Sequence, residues 1–508
     1  MTSKEQDQSC RERKSWASQM RVRVATAAMA LTVVLVAAAI ATPSAQAQTF
    51  HTLDSFDGTD GTISLAALVQ ANDGSLYGTT RGGGAFSQGA VFKITLSGTL
   101  TTVYSFCAQS NCTDGANPNV ALIQATDGNL YGTTSDGGEG NGDGTVFRIS
   151  PSGTLTTLYS FQGNDGAVPE AALVQGTDGN LYGTTNGGGT STNCFGGGCG
   201  TVFKITLSGT LTTLHSFDKT DGEDVNTMIQ GIDGNLYGTT YFGGATDACS
   251  TLGCGTIFKI TPSGTLTTLH NFDNTDGAYP PGGLVEARDG NFYGTTSSDG
   301  ANGEGGTVFE VTPSGTLTTL YNFCSQGGFC TDGYSPNAVV QATDGNFYGT
   351  TAEGGASFNG TIFKITSDGA LTTLYNFCSQ SGCTDGDSPE AAVTEDTNGN
   401  FYGTTSFGGT SSACDPYGCG TVFSLSVGLQ PFVETQTTSG RVGSLVKILG
   451  TDLTDATSVT FNATPAVFTV VSPSFIRTTV PEGATSGTVQ VTVAGRTLSS
   501  NRPFQVRP

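Results

Sequence analysis

The sequence predicts an all-β protein: a seven-bladed β-propeller closed by an N-terminal strand, followed by an Ig-like β-sandwich. Three observations point to it. The tetrapeptide Tyr-Gly-Thr-Thr occurs seven times, beginning at Tyr77, Tyr131, Tyr182, Tyr237, Tyr293, Tyr348 and Tyr402, at intervals of 51 to 56 residues. Glycine is abundant (74 of 508 residues) and charge is scarce (12%), which suits short strands and tight turns better than helices. The repeat stops after Ser426, and a different strand pattern takes over.

Residues 1–47 read as a signal peptide. Arg11, Arg13, Lys14, Arg21 and Arg23 precede an apolar run from Val24 to Ile40, and "PSAQA", ending at Ala47, offers an Ala-x-Ala cleavage site. The run is long for a signal peptide and short for a spanning helix, so an uncleaved anchor is the alternative. No later segment is apolar enough to span a membrane. Beyond Cys10, twelve cysteines form six local pairs in polar loops: Cys107/Cys112, Cys194/Cys199, Cys249/Cys254, Cys324/Cys330, Cys378/Cys383 and Cys414/Cys419. Even counts with near partners suggest disulfides in an oxidising compartment.

Residues 48–427 make the propeller. Each unit of roughly 54 residues holds four β-prone segments: one like "AALVQ", then "NLYGTT", then "GTVFKIT", then "LTTLYSF". Asp-Gly, or Asn-Gly in the last copy, suggests a two-residue hairpin between the first two. "PSGT" or "LSGT" separates the last two. The stretch opens with "FHTLDSF" (Phe50–Phe56), a fourth-type segment, and ends with "GTVFSLS" (Gly420–Ser426), a third-type one. The offset balances only if the ring closes, which leaves no sheet edge between first and last blades. A solenoid, the alternative, would have no use for it. Tyr and Phe are expected between blades, with the Gly of "YGTT" allowing close sheet approach.

The pattern "DGNLYGTT…GG…GTVFKIT…LTTLYSF" resembles the GloVer tandem repeat of exported bacterial proteins, and more weakly the "DGNLW" propeller repeats of bacterial sensors. The resemblance implies a surface or secreted bacterial protein and supplies no activity. After a short linker, 428–430, residues 431–508 show about seven short strands. "TVQVTV" (Thr488–Val493) would bury Val489, Val491 and Val493 on one face. "VGSLVKILGTDLTDATSVTFN", with a G-T-x-L turn at Gly450–Leu453 and a V-P-x-G turn at Val480–Gly483, resembles an IPT/TIG domain. That likeness implies an immunoglobulin-like fold used as a spacer or binding module.

Formal net charge is −22; without residues 1–47 the remainder carries −25. Such a surface repels nucleic acid and anionic lipid, so neither is an expected partner. In a four-stranded meander the turns one–two and three–four share one rim. The loops two–three and four–one share the other, which carries every variable insertion and every cysteine pair. A site is expected there, with the disulfides stiffening the loops. Residues departing from the repeat just after "GTT" are the ligand-binding candidates: Arg81, Tyr241, Phe242, Glu353 and Phe407, with Asp136, Asn186 and Asp299 at matching positions. Exposed aromatics can stack on sugar rings or anchor a protein.

No cofactor is expected. Calcium is the alternative, because "DGTDG" (Asp57–Gly61), "DKTDGED" (Asp218–Asp224) and "CTDGDSP" (Cys383–Pro389) place carboxylates in Gly-rich loops, but none has the twelve-residue spacing of a calcium loop. No catalytic residue is expected either. G-x-S-x-G, H-E-x-x-H and Walker motifs are missing, His215 and His270 read as strand positions, and Glu170 and Glu390 are repeat-equivalent residues blades apart. The reading is a non-catalytic exported module binding a polysaccharide or a protein. The alternatives are a carbohydrate-active enzyme using the variable rim and an architectural spacer.

Overall fold

The structure is a computed structural model describing residues 48–194, 197–245, 248–325 and 330–507. The expected signal peptide lies outside the described residues. From Thr49 to Ser426 the chain forms seven antiparallel sheets, each following chain order outward. Blade one is Val69–Gln70, Leu76–Thr80, Ala90–Ile94 and Leu100–Ser105. Blade seven holds Thr394–Glu395, Asn400–Thr405 and Thr421–Ser426, and takes its fourth strand, Thr49–Ser55, from the start of the chain. That strand pairs Thr49 with Ser426 and Ser55 with Thr421. The Phe56 N–H then donates to the Gly420 carbonyl at 3.0 Å, as Phe106 donates to Gly89 in blade one. The offset read from the sequence is therefore the seam of a closed ring.

The core is distributed. Seven clusters each join one blade to the next, and one of them packs Phe56, Leu76 and Phe92 against Tyr402 and Val422 across the seam. Each letter of "YGTT" has a use. The Tyr is buried between blades, and in six of them its hydroxyl donates to the Asp of the preceding turn, as Tyr131 does to Asp127 at 2.8 Å; in the seventh Tyr402 accepts from Asn398. The Gly lies beneath a Phe ring of its own blade: a Cβ on Gly183 would stand 2.5 Å from Phe203 Cζ and 2.7 Å from Leu173 Cδ2. The expected close approach of sheets is thus an aromatic ring laid over its cross-strand partner. The first Thr donates to a first-strand carbonyl of the next blade (Thr79 to Val120, Thr350 to Ala391, Thr404 to Ala66), which includes the seam. The second meets the Thr that opens strand three, as Thr185 meets Thr201 at 3.0 Å, except in blade one, where Ala90 stands there.

A second ring runs along the tight-turn rim. The side chain at the end of each first strand accepts an N–H from the previous blade: Gln124 from Asn72, Gln175 from Thr126, Gln230 from Thr177, Glu286 from Ile232, Gln341 from Arg288, Glu395 from Thr343 and Gln70 from Thr397. Seven such bonds close the circle, each contributing on the order of 1 kcal/mol. The hairpin turns themselves differ from the expectation. Ala125 N donates to Asn129 O and Gly128 N to Ala125 O, so the loop has three residues, not two. The Asp127 carboxylate accepts the Asn129 N–H at 3.0 Å, which favours an ordinary turn there, and Gly128 alone takes the left-handed position, at φ 91°.

On the outer strands, a Tyr hydroxyl donates to an Asp in the following loop (Tyr104 to Asp114, Tyr375 to Asp385). His215 and His270 make the same contact, with Asp221 at 2.7 Å and Asp276 at 2.6 Å, so they are structural as the sequence suggested.

The C-terminal module is a sandwich. One sheet orders Glu434–Thr435, Leu445–Leu449, Phe475–Thr479 and Phe468–Ser472. The other orders Thr464–Pro465, Ala456–Phe461, Val489–Val493 and Arg496–Ser499. Val489 and Val491 are buried with Val446, Ile476 and Phe504, and Val493 packs at the edge of this core. In the G-T-x-L turn, Asp452 is left-handed (φ 56°) and swings Leu453 into the core. The linker is packed, with Val427 and Leu429 against the cluster of blades six and seven. The module sits on the tight-turn rim: Gln436 reaches Gln124, Ser474 donates to the Asn72 carbonyl, Thr451 meets Thr397, and Arg288 donates to the Asn501 carbonyl. Among the described residues no helix is long and apolar enough to cross a membrane.

Candidate functional site

The opposite rim holds all six disulfides, paired as the sequence suggested. They fall into two kinds. Cys194–Cys199, Cys249–Cys254 and Cys414–Cys419 lie in the loops between strands two and three. There Cys199, Cys254 and Cys419 are buried just ahead of strand three, and each tethers a variable loop to the blade body. Cys107–Cys112, Cys324–Cys330 and Cys378–Cys383 lie in the loops that lead from one blade to the next.

Cys112 and Cys330 add a backbone role to the loop stiffening expected of the disulfides. Cys112 closes a tight turn, Ser110–Cys112, in which Asn111 is left-handed as well. Both cysteines are left-handed, Cys112 at φ 52° and Cys330 at φ 47°. Each carbonyl accepts two N–H groups: Cys112 from Gly115 and Gly138, both at 2.9 Å, and Cys330 from Gly333 at 2.9 Å and Gly355 at 3.0 Å. The second donor in each case follows the "GTT" strand, so the two residues join the inter-blade loop to the two–three loop through the backbone. That backbone part is structural. Cys383 repeats it, accepting from Gly386 and Gly409.

Above the inner strands one backbone device recurs in every blade. Ile63, Asn117, Val168, Asp224, Tyr279, Ser335 and Ser388 are repeat-equivalent, and all are left-handed, with φ between 52° and 63°. For Ile and Val, branched at Cβ, this conformation is costly, about 1–2 kcal/mol. It is held because the flanking residues pair across to the end of strand two, as Thr62 with Gly82, Ala167 with Gly187, Glu223 with Phe242 and Asp387 with Phe407. The second strand of each blade is so extended that the residues after "GTT" stand beside these seven positions. Strain of this kind concentrates at functional sites.

The structure brings some candidates together. The Tyr241 ring lies 4.8 Å from Phe242 and 5.4 Å, stacked, from Tyr279, while Phe242 and Tyr279 are 5.5 Å apart. All three are half-buried. Tyr334 adjoins them: burial first, then the nearby Glu304, Glu353, Asp299 and Tyr241, raise its phenol above the usual value. Arg81 and Glu353 both neighbour Glu390, whose carboxyl is raised by burial; Arg81 opposes that rise and Glu353 adds to it. Phe407 stands apart, 6.0 Å from the 71% exposed Tyr417.

Sequence reasoning set Glu170 aside, weighed Asp224 only within the "DKTDGED" stretch for calcium, and did not single out Tyr279 or Tyr334. Glu170 accepts from Asn119 (2.8 Å) and Asn186 (3.0 Å). Asp224 is pushed up to about 6 by burial, with Glu170 and Glu223 adding to the rise. Two carboxyls in unlike environments can take acid and base roles. The missed positions lie ahead of the apolar first segment or, for Tyr334, at the start of its strand, and vary as freely as those after "GTT". The departure rule applied there would have found Asp224 and Tyr279.

The acidic loops weighed for calcium use carboxylates to accept hydrogen bonds from their own loops or the strand leading in, exposed at Asp57 and Asp218 and buried at Asp385. Asp57 accepts from the Thr59 N–H and hydroxyl, Asp218 likewise from Thr220, and Asp385 from Tyr375, Ser379 and Gln380. Among the described residues no group of three or more His, Cys, Asp or Glu side chains is placed to hold a metal ion.

Two solved structures share the architecture. A catalytically inactive virginiamycin B lyase from Staphylococcus aureus, crystallised with quinupristin, matches with a TM-score of 0.50 and 16% identity over 75% of this chain and 99% of its own. A fungal alcohol oxidase in complex with copper matches with a TM-score of 0.50 and 12% identity over 91% and 99%. At such identity the likeness is one of fold. No curated protein matches. The IPT/TIG domain family matches residues 431–506. The Gloeobacter/Verrucomicrobia repeat matches residues 40–249, 190–331 and 329–451, so the chain belongs to that repeat family and carries an IPT/TIG domain at its C-terminal end.

Proposed function

We infer that the protein is an exported, non-catalytic binding module whose variable rim takes a polysaccharide or protein ligand. The observation that carries this reading is the cluster of Tyr241, Phe242 and Tyr279, three half-buried rings at one side of the rim. Flat, amphipathic rings on a disulfide-tethered scaffold offer contact area at low entropic cost, and the acidic neighbours supply acceptors for sugar hydroxyls. Six disulfides and the N-terminal basic, apolar and Ala-x-Ala pattern support export.

The test is a glycan array probed with the purified protein, with and without calcium, beside a Tyr241→Ala, Phe242→Ala variant. The expected result is binding that the variant loses at least tenfold while its melting temperature holds; binding retained by the variant would remove the rim cluster from the reading. A second reading, glycoside hydrolysis, is favoured by the pairing of Asp224 with Glu170. It requires turnover of a bound glycan that Asp224→Asn abolishes. The binding reading expects no turnover by either protein.

A further inference from the structure

The tight-turn rim departs from its pattern in blades four and five and again in blade seven. The first strand ends in Gln in five blades, with Glu286 and Glu395 in the others. The residue donating its N–H across the blade boundary is Asn or Thr in five blades, but Ile232 in blade four and Arg288 in blade five. Ile232, Glu286 and Arg288 all line one cavity of about 350 Å³ between this rim and the C-terminal module, whose wall adds Arg502, Val506 and Arg507.

We propose that this cavity binds a small amphiphilic anion, its apolar body against Ile232 and Val506 and its acidic head on Arg502 and Arg507. Three guanidiniums and one carboxylate line the cavity, in a chain whose net charge is −22. Arg288 is committed: its Nε and both terminal nitrogens donate to the carbonyls of Asn501, Thr343 and Ala342. Glu286 is committed too, since both its oxygens accept the Ile232 N–H, at 3.2 and 3.1 Å. Arg502 and Arg507 are exposed and their guanidiniums suit a planar carboxylate; Arg502 also neighbours the carboxyls of Glu286 and Glu434, so Arg507 carries most of the expected contact. A role in docking alone would explain Arg288 and Glu286. It leaves Ile232 unexplained, because that side chain is 64% exposed at a position where the repeat uses Thr or Asn. A pocket at a domain junction, lined by apolar surface with a few polar groups to orient the ligand, is the usual build of a small-molecule site.

The experiment is calorimetric titration of decanoate and of decyltrimethylammonium into the full chain. Decanoate should saturate one site per chain and bind at least tenfold tighter than the cation of equal tail. Arg507→Gln should weaken decanoate about tenfold and Ile232→Thr roughly fivefold. Ile232→Thr restores the repeat's own residue, so its unfolding midpoint should hold. Tyr241→Ala, on the far rim, should leave decanoate binding intact. Equal affinity for the two probes, or decanoate binding indifferent to both cavity variants, overturns the proposal. So does loss of binding in Tyr241→Ala.

Discussion

The two rims of the propeller are made from the same repeat and obey different rules. On the tight-turn rim nearly every residue serves a neighbouring blade: the Gln that closes a first strand bonds the N–H of the blade before it, and the rim as a whole seats the C-terminal module. On the other rim the tie between blades is made by backbone: a strained residue ahead of the first strand donates its N–H to the two–three loop of the blade before it, as Asn117 does to Gln88 and Val168 to Asp143, while disulfides tether loops of unequal length. Repetition persists where a side chain is answerable to the next blade. Variation gathers where only the backbone is.

The contrast can be broken most severely inside the repeated body. Gly183→Ala would put a methyl group 2.5 Å from Phe203 Cζ, and should cost about 2–3 kcal/mol in denaturant unfolding. If instead it is neutral, the ring overlay is not what fixes the glycine.

Asp396 sharpens the contrast, because it breaks the rule of its own rim. Other blades have Ala or Gly at that turn, whereas Asp396 is buried and pushed up to about 7, by burial first and by nearby Glu434. A carboxyl whose folded pKa is raised adds stability below its unfolded value near 4, and that contribution is lost as pH rises through about 7. Asp396→Ala should therefore gain on the parent between pH 4 and 7, reaching on the order of 1–2 kcal/mol at pH 8, with loss of the 2.9 Å bond from the Asn398 N–H offsetting part. Melting temperatures of both proteins across that range check the sign.

The smallest effect belongs to the variable rim. Val168 is 37% exposed and left-handed, so Val168→Gly should raise stability by about 0.5–1 kcal/mol, the relief of strain exceeding the entropy glycine adds to the unfolded chain. A fall in the unfolding midpoint would mean the side chain's packing outweighs its backbone.

Much of this architecture could be read from letters alone, because it is written in local patterns. The fourth-type segment at Phe50–Phe56 and the missing one after Ser426 fixed the seam. Close cysteine spacing gave all six disulfides, and alternation in Thr488–Val493 gave the buried valines. Other features depend on distant partners. Spacing pairs Cys112 and Cys330 correctly but says nothing of the glycines beyond the next strand that bond their carbonyls. Nothing local marks Ile63 or Val168 as left-handed, since the pairing that enforces it comes from the end of the second strand. The short strands Glu434–Thr435 and Arg496–Ser499 are polar and went unread, because partner strands rather than their own residues define them. The Gln ring looked like ordinary strand ends until the blades were set side by side. Asp224 and Tyr279 were hidden for the same reason.

The composite blade has a consequence for how such a chain changes length. Only that blade draws on both ends of the repeat region, so gain or loss of a whole internal unit by gene duplication or deletion leaves its pairing of Thr49–Ser55 with Thr421–Ser426 untouched. Homologous genes are then free to encode circles of other sizes with one conserved clasp.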